Sequence, residues 1–383
     1  MLVILAFFIG FLPMGVLLGF NFVYLFTVLS ALSLIVRFFL LGGKIRVKVV
    51  FLFLLLLLLL LLNLKYSITE NNVEYVRNQF NLIVFFFLIM TVFLIEPTIL
   101  NGLIGKAVIF GYISLTALKL FFIMLVAFSF ISILEFQNLN FKFFGYVPVM
   151  QIITGSFVRV QYITDILIIP VMYCYLNNKI LKLKNTNRIL IGIILFGGLI
   201  FTFSRYLFLA IFIIIFLNLL FKIKKIKLHQ VFVFSIIFFC FIFSFYEMIF
   251  DFINTRFFSD ANNLSDNIRN TQITKIINEI SLYPLTGHGI GYYINDYIRS
   301  SSTPYSYEAQ WLALTMQVGL IGSIYLGFYF LALSFDFSFK KSHNKMNVLY
   351  IFILVLFASF TNPLLFSLGS VGSLLILREL NYE

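Results

Sequence analysis

Residues Val49 to Leu62 form an unbroken run without one polar side chain, and this run restricts the fold more than any other feature of the chain. A helix needs about 20 residues to cross about 30 Å of hydrocarbon, and several other apolar runs approach that length. Lipid offers the backbone no hydrogen-bond partner, so runs of this kind cross as helices. Composition agrees: 62% of the 383 residues are hydrophobic and 11% are charged, against roughly 45–50% and 25% in soluble domains. The sequence therefore predicts an all-α fold, a polytopic transmembrane helical bundle of about 11–12 spans with one large extracytoplasmic loop containing short helices.

Apolar runs between polar breaks place helices near 2–18, 21–40, 49–64, 81–99, 107–133, 163–178, 189–203, 206–221, 231–250, 309–334, 347–361 and 363–377. Asn362-Pro363 interrupts the last two, which read as one broken helix or as two. The first run lacks a basic leader and a clear cleavage site, so it reads as a retained helix. Three regions follow: 1–250 with transmembrane helices one to nine, the extracytoplasmic loop 251–308, and C-terminal transmembrane helices over 309–383. Cys174 and Cys240 both lie inside apolar runs and read as small buried hydrophobes.

A net charge of +12 points to nucleic acid in a soluble protein, but in a membrane chain it marks topology. Lys44, Arg46 and Lys48, then Lys106, then Lys179 to Arg188, then Lys222 to Lys227, then Lys340 to Lys345 fall in alternate loops. That phase places both termini in the cytoplasm. The opposite loops carry most of the acidic residues, and two of them, 134–162 and 251–308, are long. Long connections without function are uncommon, which makes 251–308 the place for chemistry in water.

Inside that loop one stretch has a helical period. Ser265 is positioned to cap a helix that runs to about Leu282 before Pro284 stops it, with Ile273, Ile276 and Ile280 on one face. At about 100° per residue, Arg269 falls within the isoleucine arc and needs a partner there: lipid headgroups by snorkelling, or an anion held over the bundle. Arg205 separates two apolar runs with almost no loop between them, on the side where an anchoring arginine is least expected. Arg159 stands close before the helix starting near 163 and is a weaker version of the same case. After the loop helix, Pro284-Leu-Thr-Gly-His-Gly-Ile-Gly291 alternates glycines Gly287, Gly289 and Gly291 around His288, allowing a tight turn or close backbone approach to a ligand. His288 is a candidate acid or base, or a plain surface residue. Glu308, at the start of the next span, is either a helix-dipole carboxylate or a general base whose partial desolvation would raise its pKa. No metal-ligand spacing, Ser/His/Asp arrangement or phosphate loop occurs in the sequence, and no cofactor is expected.

Taken together these residues resemble the O-antigen polymerase and O-antigen ligase superfamily of bacterial envelope glycosyltransferases. The likeness is one of layout over the whole chain, with motif agreement from about Gly155 to Gly322. Arg205-Tyr-Leu-Phe-Leu209 resembles the family's Arg-x-x-x-Leu element, and Arg269 with the glycine-rich turn resembles its outer-loop arginine and turn. Glu308, Leu312 and Gly319-Leu-Ile-Gly322 resemble the helix start that closes the loop. Many members, ligases especially, have a His-Asn pair where this chain has Glu308 and Ala309.

The resemblance implies metal-independent, inverting transfer of sugars carried on undecaprenyl pyrophosphate, at the outer face of the bacterial cytoplasmic membrane. Arg205, Arg269 and Arg159 would hold the diphosphate, Glu308 would deprotonate the acceptor, and His288 is the second acid–base candidate. Gly287 and Gly289 would let substrate approach, and Tyr305 and Trp311 head a group of aromatic residues able to stack on sugars. Membrane lipids, the lipid-linked oligosaccharide and a chain-length regulator protein are the expected partners. Glu308 favours polymerase over a ligase that joins polymer to lipid A core. A lipid-linked oligosaccharide flippase, expected to carry charged or broken helices at mid-membrane, is the alternative from another class, and Lys119 and Arg37 are the basic residues within spans that bear on it.

Overall fold

The computed structural model describes residues 1–41, 46–95, 102–154, 157–222, 260–298, 303–335, 345–361 and 364–382. Over these residues the chain is all-α apart from two small hairpins, and we number its helices in order: α1 (Leu2–Phe11), α2 (Phe22–Leu41), α3 (Val47–Glu70), α4 (Val73–Ile95), α5 (Leu103–Ala127), α6 (Ile133–Phe144), α7 (Ile168–Leu176), α8 (Asn185–Thr202), α9 (Arg205–Lys222), α10 (Asp260–Leu282), α11 (Gln310–Phe335), α12 (Lys345–Thr361) and α13 (Leu368–Tyr382). Strands β1 (Val16–Leu17) and β2 (Phe20–Asn21) pair antiparallel, as do β3 (Val149–Thr154) and β4 (Phe157–Gln161).

Among the described residues, six helices are long and apolar enough to cross a membrane: Phe22–Leu40, Val47–Glu70, Val73–Ile95, Leu103–Ala127, Asn185–Thr202 and Gln310–Ala332. Four shorter apolar helices join them, Leu2–Phe11, Ile163–Leu176, Arg205–Asn218 and Met346–Phe360. The span expected over 231–250, with Cys240, lies outside the described residues. On α2 and α3 the apolar side chains Phe39, Leu40, Phe51, Leu54, Leu58 and Leu62 face outward, as lipid-facing helices require.

Several expected boundaries move for local reasons. The first helix stops at Phe11 rather than 18, because Pro13 and the positive-φ residues Gly15, Leu18 and Gly19 turn the chain into β1–β2. The fourth span begins at Val73 rather than 81, its first turns carrying Glu74, Arg77 and Gln79. The loop after α5 holds a further helix, α6, opened by a capping box in which Ser132 and Glu135 exchange side-chain-to-backbone hydrogen bonds. The last two spans are separate helices, and α13 runs on to Tyr382.

That final helix is the axis of the bundle. Every residue from Gly369 to Asn381 is buried, against α1, α4, α5, α7, α11 and α12. Small residues in its first half permit close helix approach, as is common where lipid removes the hydrophobic drive between helices. Its two charges are placed at helix ends: Arg378 Nη1 donates to the carbonyl of Phe93 near the end of α4 (2.8 Å), and Glu379 Oε1 accepts from Gly102 N before α5 (3.2 Å). Each charge meets the helix terminus of opposite partial charge. Alongside, α1 and α5 cross at a glycine pair, where a Cβ on Gly10 would stand 2.2 Å from the carbonyl oxygen of Val108 and one on Gly111 2.2 Å from that of Phe7. The end of α13 thus sits at the end of the bundle where α4 stops and α5 starts. The glycine-rich turn 287–291 packs at the other end, against Ser67, Asn71 and Val76 where α3 passes into α4.

Candidate functional site

The site is assembled on α10. This helix starts at Asp260, so Ser265 lies inside it and is not its cap. Its isoleucine face does what the period implies: Ile276 is buried, and Ile280 packs with it, beside Tyr307, Ala313 and Met316. Arg269 shares that side of the helix, and the partner it needs is Glu308, whose Oε2 accepts from Arg269 Nε. The two side chains are 30% and 17% exposed, so the pair sits at a partly wet rim. Glu308 itself lies two residues before α11 rather than on its first turn. One turn along α10 from Arg269, the buried Gln272 turns its Oε1 to the backbone N–H groups of Glu308 (3.1 Å) and Ala309 (3.3 Å). These are donors with no intrahelical acceptor, and a side chain from another helix satisfies them.

Arg159 reaches the same region from a different direction. It stands on β4, whose Val158 and Val160 are buried against Ile123 and Phe136. Its Nε donates to the carbonyl of Thr202 (3.1 Å) and its Nη2 to Gln161 Oε1 (2.7 Å). Burial, and then the positive charge of Arg269, hold its guanidinium below the usual arginine range. A guanidinium that feels a second positive charge while partly desolvated is a group that an anion would stabilise. Arg205 joins from the hairpin that Arg159 grips: α8 ends at Thr202, Phe203 takes a left-handed conformation (φ 47°), and Arg205 opens α9 three residues after Thr202. The chain turn that leads into Arg205 is thus tied to Arg159 through the Thr202 carbonyl.

The glycine-rich turn is seated on the protein's own helices. Gly287 (φ 72°) lies against Gly319 (φ 72°, ψ 177°), at which α11 kinks; a Cβ on Gly319 would stand 2.1 Å from the carbonyl oxygen of Leu285. A Cβ on Gly289 would meet Ser67 Oγ at 2.7 Å. Around them His288 N donates to Met316 O (2.9 Å), Gly289 N to Gln317 O (2.8 Å), Ile290 N to Ser67 Oγ (2.7 Å) and Gly291 N to Gln79 Oε1 (2.6 Å). The close approach that Gly287 and Gly289 permit is an approach to α3 and α11.

His288 is not a plain surface residue. Its ring lies parallel to that of Tyr292 at 4.1 Å and edge-on to that of Tyr283 at 4.8 Å, and its Nε2 is 3.2 Å from Glu279 Oε2. Glu279 lies ten residues beyond Arg269, about 15 Å of helix rise. His288 and Glu308 are accordingly held at different levels of α10. The backbone carbonyl of Tyr305 accepts from Gln317 Nε2 (3.3 Å), and its ring lies 6.0 Å from that of Tyr75, which is 5.7 Å from that of Tyr293. Trp311 packs on the main core with its ring edge toward Phe330 (5.9 Å).

One buried charge pair supports the site from below. Lys119 Nζ on α5 donates to both Asp165 oxygens (2.9 and 3.1 Å), and Asp165 also accepts from Tyr162 N (2.8 Å). Tyr162 directly follows β4, so the pair fixes the root of the hairpin that carries Arg159. A lone lysine inside an apolar helix and a lone aspartate in the next apolar run were each visible in the sequence; that they are partners was not.

Residues 190–327 match the family model described as O-antigen ligase. The matched stretch contains Arg205, Arg269, the glycine-rich turn and Glu308, and ends just past the α11 kink; Arg159 lies before it. No curated protein and no solved structure matches the chain.

Proposed function

We propose that this chain, which matches the O-antigen ligase family model over residues 190–327, belongs to the O-antigen polymerase and ligase superfamily and polymerises oligosaccharide repeat units carried on undecaprenyl pyrophosphate, by inverting glycosyl transfer at the outer face of the cytoplasmic membrane. The observation that carries the reading is the partly exposed Arg269–Glu308 ion pair, a carboxylate held by a guanidinium whose charge also acts on Arg159. An incoming diphosphate competes for Arg269 and releases Glu308. The acceptor hydroxyl oxygen then attacks the anomeric carbon of the donor sugar as the bond to the diphosphate breaks, Glu308 takes the hydroxyl proton, and the leaving diphosphate keeps its charge against Arg159, Arg205 and Arg269. Arginine suits that task because its planar fork binds phosphate oxygens in pairs and stays charged. In this reading the glycine-rich turn and His288 position the loop, and Tyr75, Tyr293 and Tyr305 offer ring faces to sugars. Trp311 holds the start of α11.

A second reading, ligation of finished polymer to a lipid A core, is favoured by the description of the matched family; Glu308, where many ligases carry histidine, favours polymerisation. Polysaccharide banding from a deletion strain separates them. Loss of the ladder with a single repeat retained supports polymerase, and polymer accumulating on undecaprenyl pyrophosphate supports ligase. Repeat units trapped in the cytoplasm would overturn both and indicate a flippase.

A further inference from the structure

Gln272 is almost fully buried, at 1% exposure, and its amide orientation is forced. Two backbone N–H groups, those of Glu308 and Ala309, point at one end of the amide, so that end is the oxygen and the NH₂ group faces the other way. Nε2 is buried there and meets no acceptor among the described residues. Buried amide donors in folded proteins are nearly always paired, because leaving one dry and unmatched costs stability. A donor left open one helical turn from Arg269, on a side chain whose other end holds the backbone of Arg269's own partner Glu308, is a position an anionic oxygen completes.

We propose that Gln272 is a further substrate-binding residue: its Nε2 donates to a non-bridging phosphate oxygen of the lipid diphosphate, while its Oε1 holds the backbone of Glu308 in place. The inference rests on the reading of the Arg269–Glu308 rim as the diphosphate site. It assigns one neutral side chain two tasks, fixing the carboxylate and grasping the group that leaves.

The test uses the full chain in lipid nanodiscs, with farnesyl diphosphate as the binding probe, farnesol as its phosphate-free control, and a lipid-linked repeat unit for turnover. Gln272→Glu keeps acceptor oxygens for the two N–H groups but replaces the donor with a negative charge. Gln272→Met removes donor and acceptor at similar length. Both variants are expected to bind farnesyl diphosphate roughly ten- to a hundredfold more weakly and to bind farnesol like the wild type, with the KM for the donor rising in step for Gln272→Glu. Should Gln272→Glu fail to insert, Gln272→Met carries the comparison. Wild-type affinity for farnesyl diphosphate in the variants overturns the inference even if the protein polymerises. A wild type that binds the diphosphate without polymerising, alongside weakened variants, overturns the functional reading and upholds the inference. No binding by the wild type overturns both.

Discussion

Replacing Glu308 by glutamine separates a catalytic carboxylate from a structural one, because the two roles differ in size. Glutamine keeps the shape, and its amide oxygen still accepts from Arg269 Nε. What is lost structurally is the ionic part of a pair whose side chains are 30% and 17% exposed, and partly screened pairs of this kind contribute about 0.2–1 kcal/mol. The backbone N–H of Glu308 remains bound to Gln272 Oε1, so the entry to α11 is unchanged. A melting temperature lowered by no more than about 3 °C follows. Losing a general base, in contrast, lowers turnover by roughly 10²–10⁴, or about 2.7–5.5 kcal/mol of barrier. The assay is turnover of a lipid-linked repeat unit by purified protein in nanodiscs, read beside thermal unfolding and donor binding. The expected result is normal insertion, near-normal melting, donor binding intact or tighter as Arg269 is freed, and little polymer, with Glu308→Asp recovering part of the rate. Turnover within threefold of wild type would remove Glu308 from the chemistry, and the His288–Glu279 pair would then be the group to test.

Lysine at Arg159, Arg205 or Arg269 keeps the charge but not the fork, so each variant should insert normally and lose tenfold or more in farnesyl diphosphate affinity; full affinity at all three positions would reduce them to surface anchors. Lys119→Met should destabilise the chain by about 3–5 kcal/mol, since it strands Asp165 as an unpaired buried charge, whereas Lys119→Met with Asp165→Leu should be close to neutral; thermal unfolding of both variants checks the contrast, and equal losses would refute it. Cysteine at the exposed Asn278 of α10 should react with an impermeant maleimide in spheroplasts, and labelling only after lysis would reverse the proposed orientation.

The membrane-spanning character was legible in sequence because it needs only local information: an apolar run of sufficient length has one stable form in lipid, whatever packs around it. The same holds for the face of α10. The angular position of Arg269 among isoleucines identified a cation in need of a partner before any partner was known. Turns within otherwise apolar stretches were harder to see. The run 2–18 is continuous in hydropathy, and only the conformations around Pro13, Gly15 and Gly19 end the helix at Phe11. The capping box at Ser132 and Glu135 was present in the letters, but the apolar residues on both sides made the segment read as the tail of a span and a loop.

Contacts between distant segments required the folded chain. Arg269 meets Glu308 39 residues later, Lys119 meets Asp165 46 residues later, and Arg159 grips Thr202 43 residues later. Each pairing depends on how helices dock, and side-chain chemistry alone is compatible with many such pairings. The glycines show the division clearly: the sequence by itself determined that Gly287 and Gly289 permit close approach, because that follows from the missing Cβ. Tertiary structure decided that the approaching group is the protein's own α3 and α11, since only packing brings Ser67 and the kink at Gly319 to that turn. Gln272 shows it again, for an uncharged residue on an amphipathic helix carries no local mark, and its open donor exists only because the start of α11 occupies the other end of its amide.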